Sequence, residues 1–301
     1  MSDYHHPVLL TESLDGLDVK PEGVYVDVTF GGGGHSRALL DRLGPEGRLY
    51  GFDQDADAAR NMIDDDRFQL VQANFKHINR FLKFHGVQQV DGVLGDFGVS
   101  SHQFDTPDRG FSTRFDGELD MRMDATQGQS AADVVNEYSE AELIRVFRDY
   151  GELRQAPKLA RMLLKARTQK PISTTLELRE LLEGSIPKHK VNKELAQLFQ
   201  ALRIEVNDEV GVLKTFLQQL PQLVKVGGRI SLISYHSLED RLVKRFVRDG
   251  KFEGEAEKDF YGNQLVPFKK VGGLIVPNQD EINQNNRARS AKLRIAERTT
   301  W

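Results

Sequence analysis

The chain predicts an α/β protein, a doubly wound parallel sheet interrupted by a helical insertion. Three observations carry this: β-rich runs alternating with helical patterns as far as Asp96, a break in that rhythm, and its return near residue 208. With 301 residues, 39% hydrophobic and 29% charged, the chain is long enough for a core domain with a smaller companion. That composition excludes a disordered chain, a collagen and a coiled coil. There is no cysteine, which removes disulfides, cysteine-built metal sites and thiolate nucleophiles.

The elements follow in order. Residues 24–28 are a short β-rich run, Gly31 to Gly34 a glycine turn, and residues 36–40 a helix ended near Gly44 and Pro45. Residues 48–53 form a second strand ending on an acid. A helix at 55–62, a strand at 68–71, a helix at 78–84 and a strand at 90–96 follow. Residues 97–130 are rich in Gly, Ser, Asp and Arg without periodicity, and 133–204 reads as successive amphipathic helices. Within them Ser139 and Glu142 make a capping box, and Pro157 suits a first helical position. The alternation resumes with a helix at 210–224, a strand at 228–234, a helix at 238–247 and strand candidates at 264–269 and 291–296. The insertion enters just after a strand's carboxyl end, where open α/β sheets bind ligands.

The first ten residues lack a signal-peptide pattern and no stretch approaches the ~18 apolar residues of a membrane helix, so a cytoplasmic protein is expected. The net charge of −4 hides an asymmetry. Residues 1–105 carry nine Lys and Arg against seventeen Asp and Glu, leaving 32 against 28 for residues 106–301. Residues 140–170 hold eight basic and four acidic side chains, and 285–301 five and one. These are either solvated helix faces or patches that meet phosphates.

Chemistry concentrates at strand ends. The run Asp-Val-Thr-Phe-Gly-Gly-Gly-Gly-His at 27–35 lets backbone approach a ligand beside a helix amino terminus. No Gly-Lys-Ser/Thr follows, and Ser36 takes the third glycine position of the dinucleotide pattern, so neither nucleotide loop is met. Asp53 suits the hydroxyls of an adenosine ribose. Asp27 and the acidic first third favour a cationic S-adenosylmethionine over a dianionic dinucleotide. Asp96, in Asp-Phe-Gly-Val-Ser-Ser at 96–101, has a likeness to the Asp-Pro-Pro-Tyr turn of enzymes that methylate exocyclic base amines. The lone pair of such an amine is delocalised into the ring, and an oxygen that accepts its N–H localises and orients it. The alternative is that Asp96 caps a loop. Ser234 to Arg241 opens a helix at another strand end, where His236 and Ser237 are placed to contact substrate. The Gly-x-Ser-x-Gly elbow of a hydrolase is missing, and Ser237 with Asp240 alternatively caps the helix. His5 and His6 have no helical i, i+4 partner, so no metal site is expected from them.

Seven segments resemble, in the same order, the bacterial small-subunit ribosomal RNA cytosine-N4 methyltransferases of the MraW type. They are 6–12, 29–35, 96–101, 119–124, 199–204, 234–241 and 287–290. The resemblance implies a class I methyltransferase core over 1–104 and 208–301 and a helical substrate-recognition insertion over 105–207. It implies S-adenosylmethionine as donor and a cytidine in the decoding region of 16S ribosomal RNA as acceptor. On that footing the backbone of Gly33, Gly34 and His35 lines the methionine part of the donor, Asp53 accepts both ribose hydroxyls, and Phe75 covers adenine unless it is an ordinary core aromatic. Asp96 and Gln103 complete the donor site. Asp96, Ser100 and His236 surround the target base, with the insertion and residues 285–298 gripping RNA. Departures are Gly32 where arginine is frequent, Gly95 where an aliphatic is usual and Asn286 in place of a proline. Rival readings are a methyltransferase acting on DNA, protein or a small metabolite, and a noncatalytic RNA-binding assembly factor. The missing thiol separates amine methylation from ring-carbon methylation, which needs a thiolate to add to the base.

Overall fold

The structure is a computed structural model and describes residues 7–301. It forms two compact units, Met1–Gly98 with Val210–Trp301, and Val99–Glu209. The chain changes unit six residues earlier than the sequence pattern places the boundary, because Val99 and Phe104 pack into the core of the second unit.

In the first unit, seven strands make one sheet in the order β3-β2-β1-β4-β5-β7-β6. They are β1 Val24–Asp27, β2 Arg48–Asp53, β3 Phe68–Gln72, β4 Val90–Asp96, β5 Val224–Ser234, β6 Phe268–Lys270 and β7 Lys292–Arg298. Strands β1 to β5 run parallel, while β7 lies antiparallel between β5 and β6. This is the class I methyltransferase sheet that the resemblance implies. The order reverses between β1 and β4, the switch point at which ligands bind such sheets.

Alternation along the strands feeds two cores. Val26, Phe52 and Val93 enter one, which is completed by Phe216, Leu217 and Leu220. Tyr25, Leu49 and Leu94 enter the other, together with Leu14, Leu17 and Leu39. Both faces are covered, as a parallel sheet requires. The helices of this unit are α1 Leu10–Leu17, which the sequence left unassigned, α2 Gly34–Leu40, α3 Ile78–Phe84, and the later helices Glu209–Leu223, Ser237–Asp249 and Gln279–Gln284. The expected helix at 55–62 is a 3-10 helix over Ala56–Asn61. It buries only Ala58, so no apolar stripe anchors regular α-helix. The strand expected at 264–269 is reduced to β6, and Lys258 bridges Gln264 in a small hairpin before it. Gly95 has a packing reason, since a Cβ there meets the Phe97 ring at 3.0 Å and Val28 at 3.1 Å.

The second unit is helical. Its helices are Ser101–Asp105, Ala131–Glu137, Glu140–Asp149, Ala156–Arg167, Thr175–Glu183 and Val191–Asn207. Ser139 and Glu142 cap each other as expected, and Ser130 with Asp133 and Thr174 with Glu177 do the same. Pro157 is the second residue of its helix, where a missing N–H is equally harmless. The segment 119–124 is structural: Leu119 and Met121 are buried, and Arg122 grips Asp120 at 2.7 Å. Asn207 bonds the backbone on either side of Arg122, at Met121 O (2.7 Å) and Met123 N (2.8 Å).

Phe216 is fully buried and touches Phe75 and Phe97 with its ring. Phe216→Ala is expected to cost about 3–5 kcal/mol of stability, the range for removing a buried aromatic. Chemical denaturation checks this, and an unchanged midpoint contradicts the packing described.

Candidate functional site

Sheet register builds the site. Asp27 of β1 lies level with Gly51 of β2 and Leu94 of β4. Asp53 and Asp96 therefore stand two residues further along, one on each side of the glycine turn that follows β1. Side chains alternate along a strand, so both occupy the same face as Gly51 and Leu94 respectively. Three carboxylates thus meet the carboxyl edge of the sheet at its switch point.

Each acid is held by donors of the chain. Asp27 is 1% exposed and accepts from the Ser36 hydroxyl at 2.7 Å and the Thr29 N–H at 3.0 Å. Asp53 accepts from the N–H of Gly31 at 2.8 Å and of Asp55 at 2.9 Å. Burial pushes Asp53 up to about 6 despite those two bonds, and Asp55 and Asp27 repel its charge further. Asp96 accepts the Tyr235 hydroxyl on Oδ1 at 2.7 Å, while His35 Nδ1 lies 3.9 Å from Oδ2. Burial likewise pushes Asp96 up to about 6; His35 and the Tyr235 hydroxyl pull it down, and Asp27 and Glu239 push it up. The backbone N–H of Asp96 donates to the Thr29 hydroxyl at 2.7 Å, tying β4 to the turn after β1.

The glycine turn has its own constraints. Gly33 adopts φ +75°, donates its N–H to Phe30 O at 2.7 Å, and has no room for a Cβ beside Arg37 and the Phe30 ring. Its N–H is engaged, whereas Gly34 and His35 are the first two residues of α2, where N–H groups have no intrahelical acceptor. His35 Nε2 lies 3.1 Å from Val8 O, which holds the imidazole beside Asp96. Phe75 opens a 3-10 turn after β3, half-buried, with its ring 5.9 Å from Phe97 and 5.2 Å from Phe216.

Other expected residues do local work. In the second unit Ser100 and Gln103 cap each other: Gln103 N–H donates to Ser100 Oγ at 3.2 Å, and Ser100 N–H to Gln103 Oε1 at 3.1 Å. His236 turns its imidazole onto Glu239 at 3.0 Å, with both side chains 6% exposed. The cap expected of Ser237 and Asp240 is made by Glu239 instead, which accepts the N–H of Tyr235 at 2.9 Å and of His236 at 3.4 Å. Asp240 pairs with Arg294 at 2.8 Å and Lys292 at 3.4 Å. That offsets one of the two charges and anchors both side chains of the 285–298 segment, and Arg298 is tied to carbonyl oxygens of Pro221 and Pro267. Arg287 and Arg289 stay exposed on either side of buried Ala288. In the helical unit Arg148, Arg154, Arg161 and Lys165 are exposed, whereas Arg145 pairs with Glu205 and Arg167 bonds Val135 O. His5 and His6 lie outside the described residues.

Sequence reasoning missed Tyr235 and Glu239. A signal for Tyr235 existed in the spacing. Asp96 pairs with Ile233, and Tyr235 is two residues beyond, on the same face, whereas His236 falls on the other.

A model of the MraW methylase family matches residues 2–299. The chain belongs to the MraW methylase family. It is 62% identical to proteins named ribosomal RNA small subunit methyltransferase H from Christiangramia forsetii and from Flavobacterium johnsoniae, over 98% of this chain and 98% of each of theirs. A protein of the same name from Cytophaga hutchinsonii is 58% identical over 98% of this chain and 99% of its own. The methyl donor of this MraW methylase is S-adenosylmethionine. The acids present fit it: Asp53 and Asp96 are each raised by burial and by other acids, and a ligand carrying an ammonium and a sulfonium relieves that repulsion.

Both carboxyls are expected to titrate near pH 6 in the ligand-free protein, followed by carboxyl carbon NMR shifts, and midpoints near 3.8 contradict the burial described. Because the folded values lie above the unfolded ones, the native state holds the extra protons, and stability falls as pH rises from about 4 to above 6.

Proposed function

We propose that the chain transfers a methyl group from S-adenosylmethionine to the exocyclic N4 amine of a cytidine in small-subunit (16S) ribosomal RNA, in the decoding region that the resemblance implies. The observation that carries the reading is the placement of Asp53 and Asp96 on opposite sides of the glycine turn. One acid is suited to ribose hydroxyls, the other to an amine. The names of the relatives support the RNA substrate.

The donor supplies an electrophilic methyl carbon and departs as S-adenosylhomocysteine. The chain's part is to position and to accept protons. Asp53 receives the two ribose hydroxyls, with Gly34 and His35 along the methionine part and Phe75 against adenine. Asp96 accepts an N–H of the cytosine amine, which draws the lone pair out of the ring and aims it at the methyl carbon. As the N–C bond forms and the C–S bond breaks, the amine proton passes to Asp96 and from there to water. The chain has no thiol to add to the ring, so displacement by the amine is the route its residues serve. The base must leave its stack to reach a strand edge. Exposed Arg148, Arg154, Arg161 and Lys165, and Arg287 with Arg289, are the side chains assigned to RNA phosphates. Ser100 acts by shaping the segment that follows β4 through its bonds to Gln103, and His236 the segment that follows β5 through its contact with Glu239.

Labelled methyl groups are expected to enter the RNA of small subunits that lack this modification and to be recovered, after digestion, as N4-methylated cytidine. Label in DNA or protein alone, or on the cytosine ring carbon, contradicts the reading. Asp53→Ala is expected to weaken donor binding by about 1–3 kcal/mol, the cost of unpaired hydrogen-bonding groups. Calorimetry measures it, and unchanged affinity removes Asp53 from the donor site.

A further inference from the structure

The two oxygens of Asp96 are not equivalent. Oδ1 takes the Tyr235 hydroxyl at 2.7 Å, whereas Oδ2 faces His35 Nδ1 at 3.9 Å, beyond hydrogen-bond length. Tyr235 is itself fixed at three points. Its N–H donates to Glu239 at 2.9 Å, its hydroxyl to Asp96, and its ring lies against Gly98, where a Cβ would sit 3.4 Å from Cδ2. Gly98 turns there with φ +113°, a conformation that favours glycine.

We propose that Tyr235 is a positioning residue for methyl transfer, holding Asp96 Oδ1 so that Oδ2 alone is presented to the amine. This rests on the assignment of Asp96 as the group that accepts the amine N–H. A carboxylate free to rotate offers either oxygen in many orientations, and a fixed donor on one of them removes that freedom before substrate arrives. The same bond favours the ionised form, which alone accepts an N–H with both oxygens unprotonated. Tyr235 stays a donor throughout, because burial and the nearby Asp96, Glu239 and Glu281 push its phenol well above the ordinary value. The ionisable groups that face Asp96 are Tyr235 after β5, His35 on α2, Asp27 on β1 and Glu239 on the helix Ser237–Asp249. Among these described residues, Tyr235 alone donates a hydrogen bond to a carboxylate oxygen of Asp96.

The test is single-turnover methyl transfer to unmodified small subunits as a function of pH, in the native chain, Tyr235→Phe and Asp96→Asn. Phenylalanine keeps the ring against Gly98 and deletes only the hydroxyl. For Tyr235→Phe the acid limb of the rate is expected to move up by roughly one pH unit. Turnover then falls about tenfold below the native limb and stays below the native rate at high pH, where Oδ1 is no longer held, with donor affinity by calorimetry unchanged and the folded state retained, though less stable at high pH. An acid limb that stays in place in Tyr235→Phe, while Asp96→Asn loses turnover, overturns the role of Tyr235 alone. Turnover retained in Asp96→Asn overturns the assignment of Asp96 on which it rests.

Discussion

The parallel register of β2, β1 and β4 is the constraint on which the rest depends. It delivers Asp27, Asp53 and Asp96 to one edge of the sheet, where burial disfavours the charges of Asp53 and Asp96. The fold holds them with backbone N–H groups and neutral hydroxyls: Gly31 and Asp55 on Asp53, Thr29 and Ser36 on Asp27, Tyr235 on Asp96. Such donors fix orientation and leave the edge negative. A cationic ligand is what that arrangement accommodates, and the MraW methylase family to which the chain belongs uses one.

Several residues that a motif reading assigns to chemistry turn out to have local tasks that chemistry presupposes. Glu239 closes the helix after β5 with two backbone bonds and pairs with His236, so the segment carrying Tyr235 is held from behind. Ser100 and Gln103 cap one another at the start of the helical unit. Asn207, Asp120 and Arg122 stitch the 119–124 segment together inside that unit. Family motifs of this kind record both the reacting edge and the scaffold that makes it rigid.

Much of the core was legible because period and punctuation agree there. The strands ending at Asp53 and Asp96 have their sequence-derived limits, and Ser139 with Glu142 caps its helix as the pattern requires. Legibility failed where neighbours decide. The helix expected at 55–62 lacks an apolar face to bury and tightens into a 3-10 helix, and α1, with Leu14 and Leu17 inward, is set by the sheet it covers. At the site, strand-end acids can be read from a sequence, but which donors hold them cannot. Gly31 on Asp53 spans 22 residues and Tyr235 on Asp96 spans 139, distances that only the sheet order closes. Likewise Lys292 and Arg294 count as basic in a composition, yet both are engaged by Asp240, whose single charge offsets one of theirs.

In the proposed reaction the two flanking acids divide the work, Asp53 holding the donor and Asp96 the amine. A crystal structure of the chain with S-adenosylhomocysteine and cytidine tests it most directly. Both ribose hydroxyls of the donor are expected on Asp53 and the cytosine N4 within hydrogen-bond distance of Asp96 Oδ2, with Oδ1 still on Tyr235. A cytosine amine bonded elsewhere, with Asp96 turned only to the amino group of the donor, contradicts it.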